Sequence, residues 1–247
     1  MPGADEAFRA AAFDLDGTLI DTAPDLCAAA NAMLLELGGK KLAEHHIRAL
    51  VGDGVAKFVE RALKEGLDMS APDAALRSAA ESLFARLYGE QLFERSRLYP
   101  GVPETLHQFA SAGIALCCVT NKESRFALPL LEAAQLDTLL AFTLCADRST
   151  DRKPSPNMLL TACTRLAVRP AELLYVGESA VDVVAAHSAG CRVVAVDYGY
   201  GDKRSVDEAR PHGLIGDLRE LLLMCMQPLP ARRPSGAVLL PERDYDS

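Results

Sequence analysis

Two aspartates lie two positions apart near the start of the chain, in the segment Phe13-Asp14-Leu15-Asp16-Gly17. They follow a short apolar run that predicts a strand, and alternate side chains of an extended chain share one face. Two carboxylates held this close repel each other unless a cation or a shared proton relieves them. The pattern therefore indicates a metal-assisted site in which one acid is a nucleophile and the other carries a proton, although Asp-Leu-Asp-Gly alone is also typical of a solvated turn.

The elements that position these acids follow from the apolar pattern of the second half of the chain. Short apolar runs at residues 114–120, 141–145, 173–177 and 192–196 predict buried strands, with helical patterns between them. Such alternation predicts an α/β fold with a Rossmann-like parallel sheet and helices on both faces. Ligands of these sheets bind at the carboxyl ends of the strands.

Three of those predicted strands are followed by polar residues that could form a site. Thr120 and Asn121 end one strand and suit phosphate oxygens, and Lys153 follows the next strand in a proline-stiffened segment. Glu178 and Asp182 follow the third, residues 173–177, and could complete an oxygen-rich Mg²⁺ site. Taken singly, these residues are more typical of a turn, a solvated lysine and acids at a helix start.

The first half of the chain has a different pattern, because residues 21–97 show helical periodicity and no strand is expected between Asp21 and Arg97. Thr22 is predicted to cap the first of four helices. We therefore expect a core of residues 1–20 and 98–227, an inserted all-helical cap domain of residues 21–97, and a flexible proline-containing tail of residues 228–247.

Composition limits the partners. The formal net charge of −8 argues against nucleic acid or an anionic membrane as the main partner. No apolar run approaches the roughly 18 residues of a membrane span, and the first nine residues lack the apolar core of a secretory signal. These features predict a cytoplasmic protein, in which basic residues of the stretch 148–153 attract any anionic substrate.

The order of these motifs resembles that of the haloacid dehalogenase-like hydrolases with a helical cap: Asp-x-Asp-Gly-Thr, a threonine at a strand end, a lysine and an acidic pair. Several further segments are similar to the phosphoglycolate phosphatase-like members of that family. They are Asp21-Thr22-Ala23-Pro24-Asp25-Leu26, Leu50-Val51-Gly52-Asp53-Gly54, Tyr99-Pro100-Gly101-Val102, Val119-Thr120-Asn121-Lys122 and Tyr198-Gly199-Tyr200-Gly201.

The resemblance implies a role for each matching residue. Asp14 would attack phosphorus and form an aspartyl phosphate, and Asp16 would act as general acid and then as general base. The phosphoryl oxygens would be bound by Thr120, Asn121 and Lys153. Selection of the substrate would involve the cap loop, residues Gly52, Asp53 and Gly54.

The same resemblance implies Mg²⁺ as cofactor, held by Asp14, the backbone carbonyl of Asp16, Glu178 and Asp182. The family usually has Gly-Asp-Ser where this chain has Gly177-Glu178-Ser179. The longer Glu178 leaves three arrangements open: direct coordination, coordination through water, or most of the coordination by Asp182.

The activity implied is Mg²⁺-dependent hydrolysis of a small phosphorylated metabolite, with 2-phosphoglycolate as the leading substrate. A phosphatase for a sugar phosphate such as N-acetylmuramic acid 6-phosphate and a phosphoglucomutase-like transferase resemble the same group. A non-catalytic regulatory or binding protein on the same scaffold is an alternative of a different class, motivated by Glu178. Both a monomer and a dimer remain open.

Overall fold

The structure, a computed structural model, describes residues 8–224, so the predicted tail of residues 228–247 lies outside it. The strands of the described chain are β1 Ala10–Phe13, β2 Ile20–Asp21, β3 Arg97–Leu98, β4 Ala115–Thr120, β5 Phe142–Cys145, β6 Leu173–Gly177, β7 Arg192–Val196 and β8 Gly213–Ile215. The helices are α1 Ala23–Glu36, α2 Glu44–Leu50, α3 Val55–Gly66, α4 Ala74–Gly89, α5 Val102–Ser111, α6 Ser124–Ala133, α7 Asn157–Leu166, α8 Ala180–Ala189, α9 Lys203–Ala209 and α10 Glu220–Met224.

Six strands form one sheet in the order β5-β4-β1-β6-β7-β8, and every neighbouring pair is parallel. The predicted fold class is confirmed. The strand β8 was not expected, because its three residues are partly exposed at the sheet edge and carry no apolar run. The strand β1 lies between β4 and β6, so the carboxyl ends of these three strands are neighbours.

Both faces of the sheet are covered. Along β1, Ala11 and Phe13 face one apolar core and Ala10 and Ala12 face the other, and all four are fully buried. Helices α5 and α6 contribute to the first core, and α7 and α8 to the second. Because burial on both faces requires apolar strands, polar groups of this sheet are concentrated beyond the strand ends.

Helices α1 to α4 form an insertion between β2 and β3 with a core of its own, centred on residues such as Met33, Phe58 and Phe84. The expectation that residues 21–97 contain no strand is wrong at both ends. Asp21 in β2 pairs with Arg97 in β3, in an antiparallel ladder of two residues per strand. A ladder this short has no periodicity that a sequence pattern could reveal. The proposed boundaries at residues 20 and 98 fall at this ladder.

Thr22 occupies the predicted N-cap position of α1, but the capping bond expected of it is absent, since its backbone is already helical at φ −95° and ψ −8°. Its hydroxyl instead donates to Asp16 Oδ1 at 2.6 Å. The backbone N–H groups of Thr22 and Ala23 donate to the Tyr200 hydroxyl at 2.7 and 3.0 Å. A tyrosine distant in sequence therefore takes the place of the local cap.

None of the helices within residues 8–224 is long and apolar enough to cross a membrane.

Candidate active site

All the predicted site residues except Asp53 line one cavity between the carboxyl ends of the central strands and the helical insertion. Asp14 follows β1, Thr120 ends β4 and Glu178 follows β6, and these strands are neighbours in the sheet. The cavity is lined by Asp14, Asp16, Leu26, Val51, Gly52, Gly54, Val55, Phe58, Phe84, Thr120, Asn121, Lys122, Lys153, Glu178, Ser179, Val181 and Asp182.

Asp14 is buried at the centre of this arrangement, with 9% of its surface exposed. Its backbone N–H donates to the Val176 carbonyl at 2.8 Å, which ties the residue to β6. Its Oδ1 accepts from the Leu15 N–H at 2.8 Å and lies 2.9 Å from Lys153 Nζ. Burial raises the pKa of Asp14 to about 7, with Lys153 opposing the shift and the charge of Asp182 adding to it.

Lys153 connects two of the acids. Its Nζ lies 2.9 Å from Asp14 Oδ1 and 2.7 Å from Asp182 Oδ1, and it also donates to the Tyr175 hydroxyl at 2.7 Å and the Val119 carbonyl at 3.2 Å. Burial alone would lower the pKa of this ammonium, but the two carboxylates raise it, so Lys153 stays charged. Tyr175 was not predicted, because its side chain reaches the site from within β6.

Asp182 lies in the first turn of α8, where a carboxylate interacts favourably with the helix dipole. Its Oδ2 accepts from the Ser179 hydroxyl at 2.7 Å, the Ser179 N–H at 3.0 Å and the Glu178 N–H at 3.2 Å. Burial would raise its pKa, but Lys153 and these hydrogen bonds outweigh burial and lower it. Asp182 is therefore held as a buried carboxylate.

Glu178 is buried at the edge of the same cavity, and its Oε2 accepts a short hydrogen bond from the Gly201 N–H. Burial raises the pKa of Glu178 to about 8, and the charges of Asp182 and Asp14 add to the shift. Within residues 8–224, no three His, Cys, Asp or Glu side chains are grouped closely enough to hold a metal ion as they stand. The four-acid metal set stays a prediction.

Asp16 is held by two donors. Its Oδ1 accepts from the Thr22 hydroxyl at 2.6 Å and from Lys122 Nζ at 2.9 Å. Lys122 is 8% exposed and its Nζ lies 4.8 Å from the centre of the Tyr88 ring, which belongs to α4. Sequence reasoning assigned Lys122 no role, although its position two residues after Thr120 places it at the same strand end.

The two predicted phosphate ligands after β4 have different surroundings. The Thr120 hydroxyl oxygen accepts from the Lys122 N–H at 3.1 Å, which leaves its own proton available to an acceptor. The Asn121 side chain donates to the carbonyls of Gly52 and Lys153 at 3.1 and 3.2 Å and accepts from the Lys153 N–H at 2.8 Å. The phosphate-binding role of both residues stays a prediction.

The loop between α2 and α3 reaches the cavity with only part of its predicted set. Gly52 and Gly54 line the cavity, whereas the Asp53 carboxylate pairs with Arg61 of α3. Gly54 has a φ of +84°, which favours glycine, and a Cβ there would lie 2.6 Å from an Arg152 nitrogen. Arg152 also donates to the Asp53 carbonyl at 2.9 Å. The backbone of this loop, more than the Asp53 side chain, faces the core.

Comparison with known proteins agrees with this geometry. Residues 11–196 match the family model described as haloacid dehalogenase-like hydrolase. A phosphoglycolate phosphatase of Nitrosospira multiformis is 42% identical over 212 residues, which cover 86% of this chain and 93% of that protein. A phosphoglycolate phosphatase of Pseudomonas putida is 40% identical over 220 residues, covering 89% of this chain and 80% of its own.

A solved structure from Haemophilus somnus, described as that of a "predicted phosphoglycolate phosphatase", superposes with a TM-score of 0.83 at 32% identity. The match covers 88% of this chain and 97% of that one. Together, these likenesses confirm the resemblance that the order of the motifs indicated.

Proposed function

The chain belongs to the haloacid dehalogenase-like hydrolase family, and we propose that it is a Mg²⁺-dependent phosphatase that hydrolyses 2-phosphoglycolate. The observation that carries this proposal is the buried Asp14 carboxylate, held 2.9 Å from the Lys153 ammonium where the ends of β1, β4 and β6 meet. A nucleophile beside a fixed positive charge suits attack on an anionic phosphate ester. The relatives named phosphoglycolate phosphatase support the choice of substrate.

The charge and the donor atoms of the cavity suit a magnesium ion. Four carboxylates and two ammonium groups line it, so the fully ionised wall has an excess of negative charge that a divalent cation would balance. The acidic side chains offer oxygen ligands, which Mg²⁺ prefers. Mg²⁺ is commonly bound by only one or two carboxylates, and water completes its coordination. We propose that Asp14, Glu178, Asp182 and the backbone carbonyl of Asp16 hold it. When bound, the ion would supply positive charge to the transferring phosphoryl group.

Asp14 is the proposed nucleophile. A carboxylate oxygen forms a bond to phosphorus while the ester P–O bond breaks, and the product is an aspartyl phosphate. Lys153 holds Asp14 in position and places positive charge beside the phosphoryl oxygens, where charge is concentrated during transfer. The Thr120 hydroxyl is the proposed neutral donor to the same oxygens.

Asp16 is the proposed proton carrier. It protonates the leaving alkoxide in the first step and removes a proton from the attacking water in the second. In that step the water oxygen bonds to phosphorus, the bond between phosphorus and Asp14 breaks, and inorganic phosphate leaves, so both residues end each turnover as they began. The hydrogen bonds from Thr22 and Lys122 both fall on Oδ1, and they fix the carboxyl group at the side of the cavity next to the insertion.

The helical insertion, proposed as a cap domain over residues 21–97, closes the cavity. Apolar side chains of α1, α3 and α4 form its wall, namely Leu26, Val55, Phe58 and Phe84. A wall of this kind keeps bulk water from the reacting groups, which strengthens the electrostatic interactions inside.

A substrate panel tests the proposal. The purified protein is incubated with Mg²⁺ and with 2-phosphoglycolate, N-acetylmuramic acid 6-phosphate or a hexose 1-phosphate, and both inorganic phosphate and isomerised sugar phosphate are measured. We expect phosphate release with the highest kcat/KM on 2-phosphoglycolate. Isomerisation without phosphate release would identify a mutase, and no turnover of any ester would favour a binding protein.

A further inference from the structure

The two ammonium groups of the cavity differ in what surrounds them. Lys153 is surrounded by acceptors, namely two carboxylates, a hydroxyl and a carbonyl. Lys122 Nζ has one hydrogen-bonded acceptor within the described chain, Asp16 Oδ1, and one aromatic face, that of Tyr88. An ammonium group has three donors, so Lys122 can take a further acceptor at little cost. It is a buried cation on the side of the cavity facing the insertion.

The part of the cavity wall that the insertion contributes offers little else to a polar ligand. Val51, Val55, Phe58 and Phe84 are apolar, and the loop residues Gly52 and Gly54 lack side-chain donors. A leaving group with several hydroxyls would lose hydrogen bonds to water without replacing them, which is unfavourable. A compact leaving group with a single negative charge matches both the apolar wall and the ammonium.

The distance between Lys122 and Asp16, the proposed proton carrier, determines where the negative charge of the leaving group must lie. As proton carrier, Asp16 must reach the bridging oxygen of the ester, and Lys122 Nζ lies 2.9 Å from Asp16 Oδ1. A carboxylate attached to the carbon that bears the bridging oxygen therefore falls within reach of Nζ. A methyl group at that point would gain no such contact.

Resting on the function proposed above, we propose that Lys122 is the specificity-determining residue of this enzyme and binds the substrate's carboxylate. The substrate class is then the phosphate monoesters of short 2-hydroxy carboxylic acids. Longer sugar phosphates would place hydroxyls against the apolar wall, and the residues of that wall therefore exclude them.

A pair of substrates tests this role. Ethyl phosphate shares the phosphate and the O–CH2 unit of 2-phosphoglycolate but carries a methyl group where the latter carries a carboxylate. The wild-type protein should prefer 2-phosphoglycolate by about tenfold or more in kcat/KM, since a charge-assisted hydrogen bond is lost with the other ester. Lys122→Met removes the bond to Asp16 for both esters, so both should lose rate, but the loss on 2-phosphoglycolate should exceed the loss on ethyl phosphate by about tenfold or more.

Two further variants keep the test decisive. Lys122→Gln can still donate to Asp16 but lacks the charge, so it should lose the preference as Lys122→Met does, even if the latter does not fold. Lys57→Met removes an exposed lysine of the insertion outside the cavity wall and should leave the preference unchanged.

Equal losses on both esters would overturn the proposal, because they would show that Lys122 acts only through Asp16. A wild-type enzyme that turns over both esters equally would overturn it too, while leaving the phosphatase function intact. No turnover of either ester would overturn the proposed function itself, and this inference with it.

Discussion

The side-chain nitrogen of Asn121 lies 3.1 Å from the carbonyl oxygen of Gly52, so a residue at the end of β4 is bonded directly to the loop between α2 and α3. The same side chain makes two hydrogen bonds to the backbone of Lys153. Arg152 adds a second bond to the loop through the Asp53 carbonyl. The amide group of Asn121 therefore links the insertion directly to the backbone of Lys153.

Replacement of Asn121 tests this link. Asn121→Ala should lower kcat/KM on 2-phosphoglycolate by about ten- to a hundredfold, because both Lys153 and the loop lose a fixed partner. Asn31→Ala is the matched control, since Asn31 makes an equivalent pair of bonds to the Leu42 backbone within the insertion. It should lose stability but keep its kinetics, and equal kinetic losses in the two variants would contradict a specific role for Asn121.

Removal of the proposed nucleophile has the largest predicted effect. Asp14→Asn should reduce Mg²⁺-dependent phosphate release by about a thousandfold or more, because an amide cannot form the covalent intermediate. Asp197→Asn is the control: Asp197 follows β7, is exposed and lies outside the cavity wall. Circular dichroism would establish that both variants fold. Unchanged turnover in Asp14→Asn would rule out the mechanism.

Metal dependence is tested by chelation and by replacement of Glu178, the first of the two acids after β6. EDTA should abolish phosphate release, and added Mg²⁺ should restore it. Glu178→Gln should raise the Mg²⁺ concentration for half-maximal activity by about tenfold, because one negative donor is lost. Glu172→Gln serves as control, since Glu172 lies before the opposite end of β6 and pairs with Arg169. An unchanged requirement in Glu178→Gln would exclude Glu178 from the metal site.

A shorter acid at the same position gives a separate result. Glu178→Asp should preserve or improve the apparent Mg²⁺ affinity, because it restores the acid usual in this motif. The shorter side chain no longer reaches the Gly201 N–H, to which Glu178 is bonded. A large loss of affinity would therefore show that the contact with Gly201 is required to position the acid.

Tyr200 is predicted to stabilise the junction between the core and the insertion. Its hydroxyl donates to Asp21 Oδ1 at 2.6 Å and accepts from the Thr22 and Ala23 N–H groups. Tyr200→Phe should lower the free energy of unfolding by about 2–3 kcal/mol, since buried groups lose their partner. Tyr198→Phe, which removes one bond to the Thr18 carbonyl, should cost about 1 kcal/mol. Urea denaturation measures both values, and similar losses would contradict this ranking.

The sequence predicts the central strands of the sheet well, because their apolar runs indicate both where the strands lie and that they are parallel. Fully buried parallel strands are continuous apolar runs, and parallel order alone brings Asp14, Thr120 and Glu178 to one edge. The strands β2, β3 and β8 escape prediction, because two or three residues form no pattern.

Side-chain pairings across long sequence separations are the other part that the sequence leaves open. The bond between Lys122 and Asp16 joins residues 106 positions apart, and it depends on rotamers that no periodicity records. Asp53 is a similar case: glycines on both sides predict a turn, but the direction of its carboxylate is decided by Arg61. Local chemistry thus identifies the candidate residues, and tertiary packing decides which of them face the cavity.

The ladder of β2 and β3 has a consequence for how such enzymes diversify. The chain leaves the sheet region at Asp21 and returns at Arg97, and the two crossings are paired with each other. Paired strands lie about 4.8 Å apart, so any helical module whose ends meet at that spacing could be grafted in place of α1 to α4. Exchange of modules at these two crossings would replace the apolar part of the cavity wall while leaving Asp14, Lys122 and Lys153 in the core.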